Sequence, residues 1–265
     1  MSRDVTAVIT THVRPQCVDD ALESVRAETY AHVEVVVVDD GGQFVSPVRG
    51  VRVVHGGTLG VARARNLGLE AARGEFVIFL DDDDVVLPHR IATLVSAAQR
   101  FDATLCYALT RRVAAEPLEN VPTHLLQPGR VGFCDLLACA PHIDSVLVRT
   151  EALRAVGGFD VETDHLDDWA AWLRLADRNA PMAFVRDVVA EWRIREDGLS
   201  AEVLSLGVMK ARLISLFERL KSAVSEENGR AVAIAQEVVM ANEITTYDDY
   251  ADAIARTRKL AACSS

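Results

Sequence analysis

Two runs of carboxylates follow directly on apolar, β-branched stretches: VVVVDDGG supplies Asp39 and Asp40, and FVIFLDDDD supplies Asp81, Asp82, Asp83 and Asp84. Four adjacent aspartates repel one another, and a divalent cation is the simplest relief of that cost. Asp81 and Asp83, two residues apart, could share one ion. An all-oxygen donor set favours Mg2+ or Mn2+ over zinc, and such ions commonly bridge to phosphates, so the implied ligand is a nucleotide diphosphate. A calcium loop starting at Asp81 fits poorly, because Val85 and Val86 fall where a ligand and an obligatory glycine belong. Glycine-rich phosphate cradles are absent: no loop ends in Lys-Ser/Thr, and no G-x-G-x-x-G follows the first apolar run. Arg63 or Arg65 in GVARARN would then help to hold phosphate. The plain alternative for an acidic run is a solvated turn. Position outweighs it, because open α/β sheets bind ligands beyond the carboxyl ends of their strands.

The elements that must carry these groups alternate short β-branched runs with helical patterns, which predicts an α/β fold with a mostly parallel sheet flanked by helices. Strands are expected over 5–10, 33–38, 51–54, 76–80 and 103–109, and helices over 18–28, 61–72 and 88–100. Four successive valines suit a strand buried on both faces. From Val113 to Pro141, Pro117, Pro122, Pro128 and Gly129 break any period, so a long loop or lid is expected. The stretch DSVLVRTEALRAVGGFD reads as a strand, a helix capped by Thr150 and a turn at Gly157 and Gly158. A helix opens near Asp167, with Trp169 and Trp172 expected to pack it on the sheet. Beyond residue 200 the chain becomes a helical appendage. Leu206, Met209, Leu213, Leu216, Phe217 and Leu220 form one apolar face, and further helices are expected over 231–242 and 247–261. The predicted division is an α/β domain over 1–200, carrying the acidic strand ends, and a helical extension over 201–265. The apolar face of that extension is open to three roles: covering the domain, forming a homodimer, or shaping an acceptor site.

Composition narrows the partners. With 28 Lys+Arg against 39 Asp+Glu, the 265-residue chain carries a formal charge of −11, the wrong field for nucleic acid or an anionic membrane surface. Six of those carboxylates, those of the two runs above, are expected around one crevice. No apolar run reaches the ~18 residues of a spanning helix, and the N-terminus lacks the charge order of a secretory signal. Five cysteines without a close Cys-x-x-Cys pair agree with a reducing compartment, so a cytoplasmic location is expected.

In order, VITTHVRP, VVVVDDGG, GVARARNLGLEAARGEFVIFLDDDD, LVRTEALRAVGGFD and HLDDWAAWLRLA resemble the family 2 inverting glycosyltransferases of the Rossmann-like GT-A fold, over roughly residues 5–200. The resemblance implies a metal-dependent transferase that moves a sugar from a UDP- or dTDP-sugar to a hydroxyl-type acceptor. It implies that Thr10, Thr11 and His12 contact the nucleotide, and that Asp40, with Asp39 as the alternative, pairs with the imide of the base. It further places the Asp-x-Asp signature on Asp81 and Asp83, with Asp82 reaching the ribose or sugar, and an Arg-Asn pair on Arg65 and Asn66 that contacts donor or stabilises the loop. Asp167 and Asp168 match the acidic pair that opens a later helix, Asp168 falling in the position of the catalytic base. Their plain reading is a pair favoured by the helix dipole, and both roles can coexist.

One departure stands out. Where many relatives carry a metal-completing histidine, the segment EWRIREDGLS puts Arg195. His12, His55, His89, His142 and His165 form no spaced metal set and read as surface or loop histidines. Two other readings stand beside the leading one: a relative that binds a nucleotide sugar without turnover, and a sugar-nucleotide nucleotidyltransferase, whose glycine-rich basic N-terminal signature is missing.

Overall fold

The computed structural model describes residues 4–12, 14–41, 49–113, 127–163, 165–193, 208–244 and 247–256. Nine strands among them form one sheet: β1 Val5–Thr11, β2 Val33–Asp39, β3 Val51–His55, β4 Phe76–Asp81, β5 Val85–Val86, β6 Leu105–Val113, β7 Gly129–Val131, β8 Val146–Arg149 and β9 Met182–Arg193. The order is β3-β2-β1-β4-β8-β6-β9-β5, with β7 also on β9. Strands β1 to β4, β6 and β9 run one way; β5, β7 and β8 oppose them. The order therefore reverses at β1, whose neighbours are β2 on one side and β4 on the other. Such a reversal opens a crevice at the strands' carboxyl ends.

Helices cover both faces, as the buried valines require. In β2, Val36 and Val38 enter one apolar core and Val37 the other. Each fully buried valine contributes about 1.5–2 kcal/mol of transfer free energy. Helices α1 Pro15–Arg26 and α3 Arg90–Phe101 lie on one face. Helices α2 Val61–Ala71, α4 Phe133–Ala138, α5 Thr150–Ala155 and α6 Asp167–Asp177 lie on the other. The C-terminal helices α7 Met209–Ala223, α8 Glu226–Ala241 and α9 Tyr247–Arg256 extend that second core, so Leu213, Leu216, Phe217 and Leu220 are buried in it.

Several boundaries differ from the sequence reading. Helix α1 starts three residues earlier, because Pro15 is well placed in a first turn. Strand β6 runs to Val113 because β9 pairs with it as far as Arg193. The stretch expected to be irregular contains β7 and α4, while 114–126 lie outside the described residues. Thr150 does not cap α5. It is the first helical residue, and its hydroxyl donates to the Gly74 carbonyl at 2.7 Å, tying α5 to the entry of β4. Leu206 and the expected end of the last helix, 257–261, also fall outside the described residues. No helix among the described residues is long and apolar enough to cross a membrane.

Candidate active site

Parallel pairing sets the site's first row. The register matches Thr10 with Asp81, Thr11 with Asp39 and Asp39 with His55, so the ends of β3, β2, β1 and β4 present these side chains at one sheet edge. A crevice of about 850 Å³ opens there. Ten of the twelve residues singled out from the sequence line it, Asp39 and Asn66 being the two that do not.

At the β2 end, Asp40 accepts the Leu59 N–H at 2.7 Å and the Gly60 N–H at 2.8 Å. Gly60 has φ of +89°, a conformation glycine adopts without strain, and the bond turns the start of α2 onto the carboxylate. His12 lies 3.7 Å from Asp40. Asp39 is buried behind, accepting the Gly41 N–H at 3.0 Å, with His55 at 3.5 Å.

The β4 end is held by cations and hydroxyls. Thr10 donates to Asp81 at 3.3 Å and Thr11 to Asp82 at 2.6 Å. Arg14 bridges Asp82 at 2.9 Å and Asp83 at 2.8 Å. Arg65 grips both oxygens of Asp81 at 3.0 Å and reaches Asp167 at 2.9 Å. Within the run, Asp81 and Asp83 are the more accessible side chains, 30% and 17% exposed, whereas Asp82 and Asp84 are buried. Burial and then neighbouring carboxylates raise several of these acids: Asp82 to about 6, Asp83 above its usual range and Asp84 well above it. Arg14 and the Thr11 hydroxyl offset only part of this at Asp82. Such acids favour a proton or a cation, and the outward pair Asp81 and Asp83 offers the hard oxygen donors suited to Mn2+ or Mg2+.

The helix opened by the acidic pair delivers two carboxylates in different states. Asp167 is buried and paired with Arg65. Burial works against charge on Arg65, but Asp167, Asp81 and Asp168 more than offset it, so Arg65 stays a cation. Asp168 is half-buried, accepts the Trp169 N–H at 2.7 Å and forms no ion pair among the described residues. Burial, followed by repulsion from Asp167, raises it to about 6, against the pull of Arg65 and His142. Asn66 sits one helix position on and faces away. Its amide donates to the Phe159 carbonyl and accepts the Phe159 N–H, both at 2.8 Å, stapling the glycine turn. A Cβ at Gly158, where φ is +66°, would lie 2.3 Å from that amide oxygen.

Three contributors escaped the sequence reading. Arg14 is one, although Thr11 and Arg14 carry the Thr-x-x-Arg spacing. His142 and Asp144 are the others. His142 caps the 3-10 turn Ile143–Ser145 ahead of β8 and Asp144 lies within it, and the antiparallel insertion of β8 beside β4 brings them under the acidic run. His142, expected to be a loop histidine, instead lines the crevice 3.2 Å from Asp144. Arg195 lies outside the described residues, as does the segment around it.

A mostly parallel sheet whose order reverses over an acidic crevice is the GT-A arrangement. Two solved structures share it: the Pyrobaculum calidifontis mannosyltransferase PcManGT in complex with GDP-Man and Mn2+ (TM-score 0.68, 18% identity, 99% of this chain and 78% of that one), and S. aureus TarS 1-349 in complex with UDP-GlcNAc (TM-score 0.63, 16% identity, 97% and 92%). The chain belongs to Glycosyl transferase family 2, whose model matches residues 6–152. Among curated relatives, the glycosyltransferase GlyG of Streptococcus pneumoniae is 30% identical over 113 residues, 39% of this chain and 38% of GlyG. YibD of Escherichia coli is 30% identical over 118 residues, 40% of this chain and 34% of YibD. The chain thus matches little more than a third of the length of these relatives.

Proposed function

We propose that this family member transfers a sugar from a UDP- or dTDP-sugar to an acceptor hydroxyl with inversion, and that Asp168 is the general base. The observation that carries the reading is the contrast within the acidic pair: Arg65 neutralises Asp167, whereas Asp168 lines the crevice without an ion pair among the described residues and is raised to about 6. Near neutral pH it is ionised yet more basic than an ordinary aspartate, as a base requires. It takes the acceptor proton while the acceptor oxygen bonds to the anomeric carbon and the bond to the diphosphate oxygen breaks. A bound Mn2+ or Mg2+, with Asp81 and Asp83 as its protein ligands, would supply positive charge for the departing diphosphate. Arg65 fixes Asp167 and Asp81 at a common distance and so sets α6 against the end of β4. Thr10, Thr11, His12 and Asp40 form the nucleotide end. Both Asp40 oxygens already accept backbone N–H groups, and each keeps a further lone pair for the imide. Asp39 and Asn66 support the turns behind them, and Asp82 anchors Arg14 on the crevice floor.

The test is a melting-temperature screen against nucleotide sugars with Mn2+, followed by product trapping with candidate acceptors. A rise with UDP- or dTDP-sugars and a transferred sugar is expected; stabilisation without turnover of any donor, including hydrolysis, favours the binding-only reading. The division at residue 200 belongs to the same proposal. Because Trp169 packs on Phe217 and Tyr250, a chain ending at Ser200 is expected to elute as aggregate in gel filtration, and a monodisperse truncated chain would refute that packing role.

A further inference from the structure

Beneath the acidic run, Asp84, His142 and Asp144 each offer one donor atom, and the three atoms lie within 4.8 Å of one another. Asp144 is fully buried and Asp84 nearly so. Each carboxylate has one oxygen fixed by a backbone amide: Asp84 Oδ1 accepts the Arg193 N–H at 2.6 Å, and Asp144 Oδ1 accepts the Asp81 N–H at 3.2 Å. His142 is held by its turn, where Ser145 donates its N–H and hydroxyl to the His142 carbonyl, and by the Trp192 ring 5.1 Å away. His142 Nδ1 and Asp144 Oδ2 are 3.2 Å apart, yet among the described residues neither has a hydrogen-bond partner of good geometry. The distance suits a hydrogen bond and the directions do not. Two donor atoms bound to one cation at ~2.1–2.2 Å and at right angles stand about 3 Å apart, aimed at a common third point. Arg90, a buried cation that acts on Asp144 electrostatically, makes no ion pair with it among the described residues; its Nη2 donates to the Phe79 carbonyl at 2.7 Å.

We infer that Asp84, His142 and Asp144 form a second cation site, separate from Asp81 and Asp83, that takes a first-row divalent transition ion such as Mn2+ without any nucleotide. Two buried carboxylates match the charge of the ion, and an imidazole among the donors favours a transition ion over Mg2+ and Ca2+, with Mn2+ serving as the paramagnetic probe of the site. The ion cross-links the end of β4 to the turn before β8 and stiffens the crevice floor. This site does not depend on the transferase reading, since its donor atoms belong to Asp84, His142 and Asp144 and not to the Asp81 and Asp83 carboxylates that line the same crevice.

The experiment uses the full chain, stripped with a chelator and titrated with Mn2+ alone. Free-ion electron paramagnetic resonance gives the stoichiometry, and pulsed measurements detect coupling to a ligand nitrogen. One bound Mn2+ per chain with nitrogen coupling is expected. His142→Gln should erase the coupling and weaken binding at least tenfold, a tenfold excess of Mg2+ should not displace the ion, and Asp83→Asn should leave the signal as it is. Absence of nitrogen coupling in the wild-type chain, or its persistence in H142Q, overturns the inference. The wild-type spectrum decides the matter even if a variant fails to fold. A nucleotide-dependent melting shift that survives while the nitrogen coupling is absent would sink this site alone and leave the proposed transferase standing.

Discussion

The carboxylates after β2 and those after β4 stand at one edge of one sheet and are held by opposite means. Asp39 and Asp40 are received by main-chain N–H groups of Gly41, Leu59 and Gly60. Asp81, Asp82 and Asp83 are received by the side chains of Arg65, Arg14 and two threonines, and Asp82, Asp83 and Asp84 are still pushed up towards the protonated form. Amides built into turns fix a carboxylate without adding net charge, which suits a group that must hold one shape to read a flat base. Side-chain partners can exchange, which suits a group that takes up a cation. In the proposed function the same residue type serves recognition at one strand end and charge handling at the next.

If the β4 side handles the reaction and the β2 side reads the donor, substitutions should separate. The largest effect is expected from Asp168→Asn: transfer falls about 10²–10⁴-fold, measured as product formed, while the affinity for UDP stays within about twofold. A parallel loss of both would merge the two regions. Next, Asp83→Asn should remove the Mn2+-dependent part of stabilisation by UDP, about 2.7 kcal/mol at a hundredfold excess over Kd, or several degrees in Tm. Without ligands the two ends should differ in sign. Asp40→Ala leaves two amides without their acceptor and should cost about 1–2 kcal/mol in denaturant unfolding, whereas Asp83→Asn relieves repulsion and should leave Tm unchanged or higher. The last effect concerns pH. Asp82 stands at about 6 folded against 3.8 as its ordinary value, so the folded chain keeps a proton that the unfolded chain has released. That stability is present below about pH 4 and is lost as pH rises through 6. In metal-free buffer, Asp82→Asn should flatten this dependence by up to about 3 kcal/mol; an unchanged slope would assign it elsewhere.

Much of this organisation is legible in residue types alone. Four successive valines demand cover on both faces, and a carboxylate run directly after such a strand is delivered to the sheet edge by backbone continuity. The helix opened by Asp167 and Asp168 is equally local, being marked by Trp169 and Trp172 within it. Arg14 was within reach through its spacing from Thr11, but a positive residue before Pro15 reads as an ordinary turn. His142 and Asp144 were not legible, because nothing local foretells that β8 inserts antiparallel between β4 and β6. Asn66 carried a readable motif whose direction was hidden: only the fold shows that its amide turns to Phe159.

The tryptophans give the chain its own optical gauges. Trp169 follows Asp168 directly, donates its indole N–H to the Leu136 carbonyl at 2.8 Å and packs between Phe217 and Tyr250. Trp192 lines the crevice between His142 and the Arg112 guanidinium. With only three indoles in the sequence, a red shift in emission on heating marks water reaching Trp169 as the C-terminal helices leave α6. Quenching on ligand addition at constant temperature marks occupancy beside Trp192. Replacing Trp192 with Phe separates the two signals, so that undocking and binding can be followed by light in one unlabelled sample.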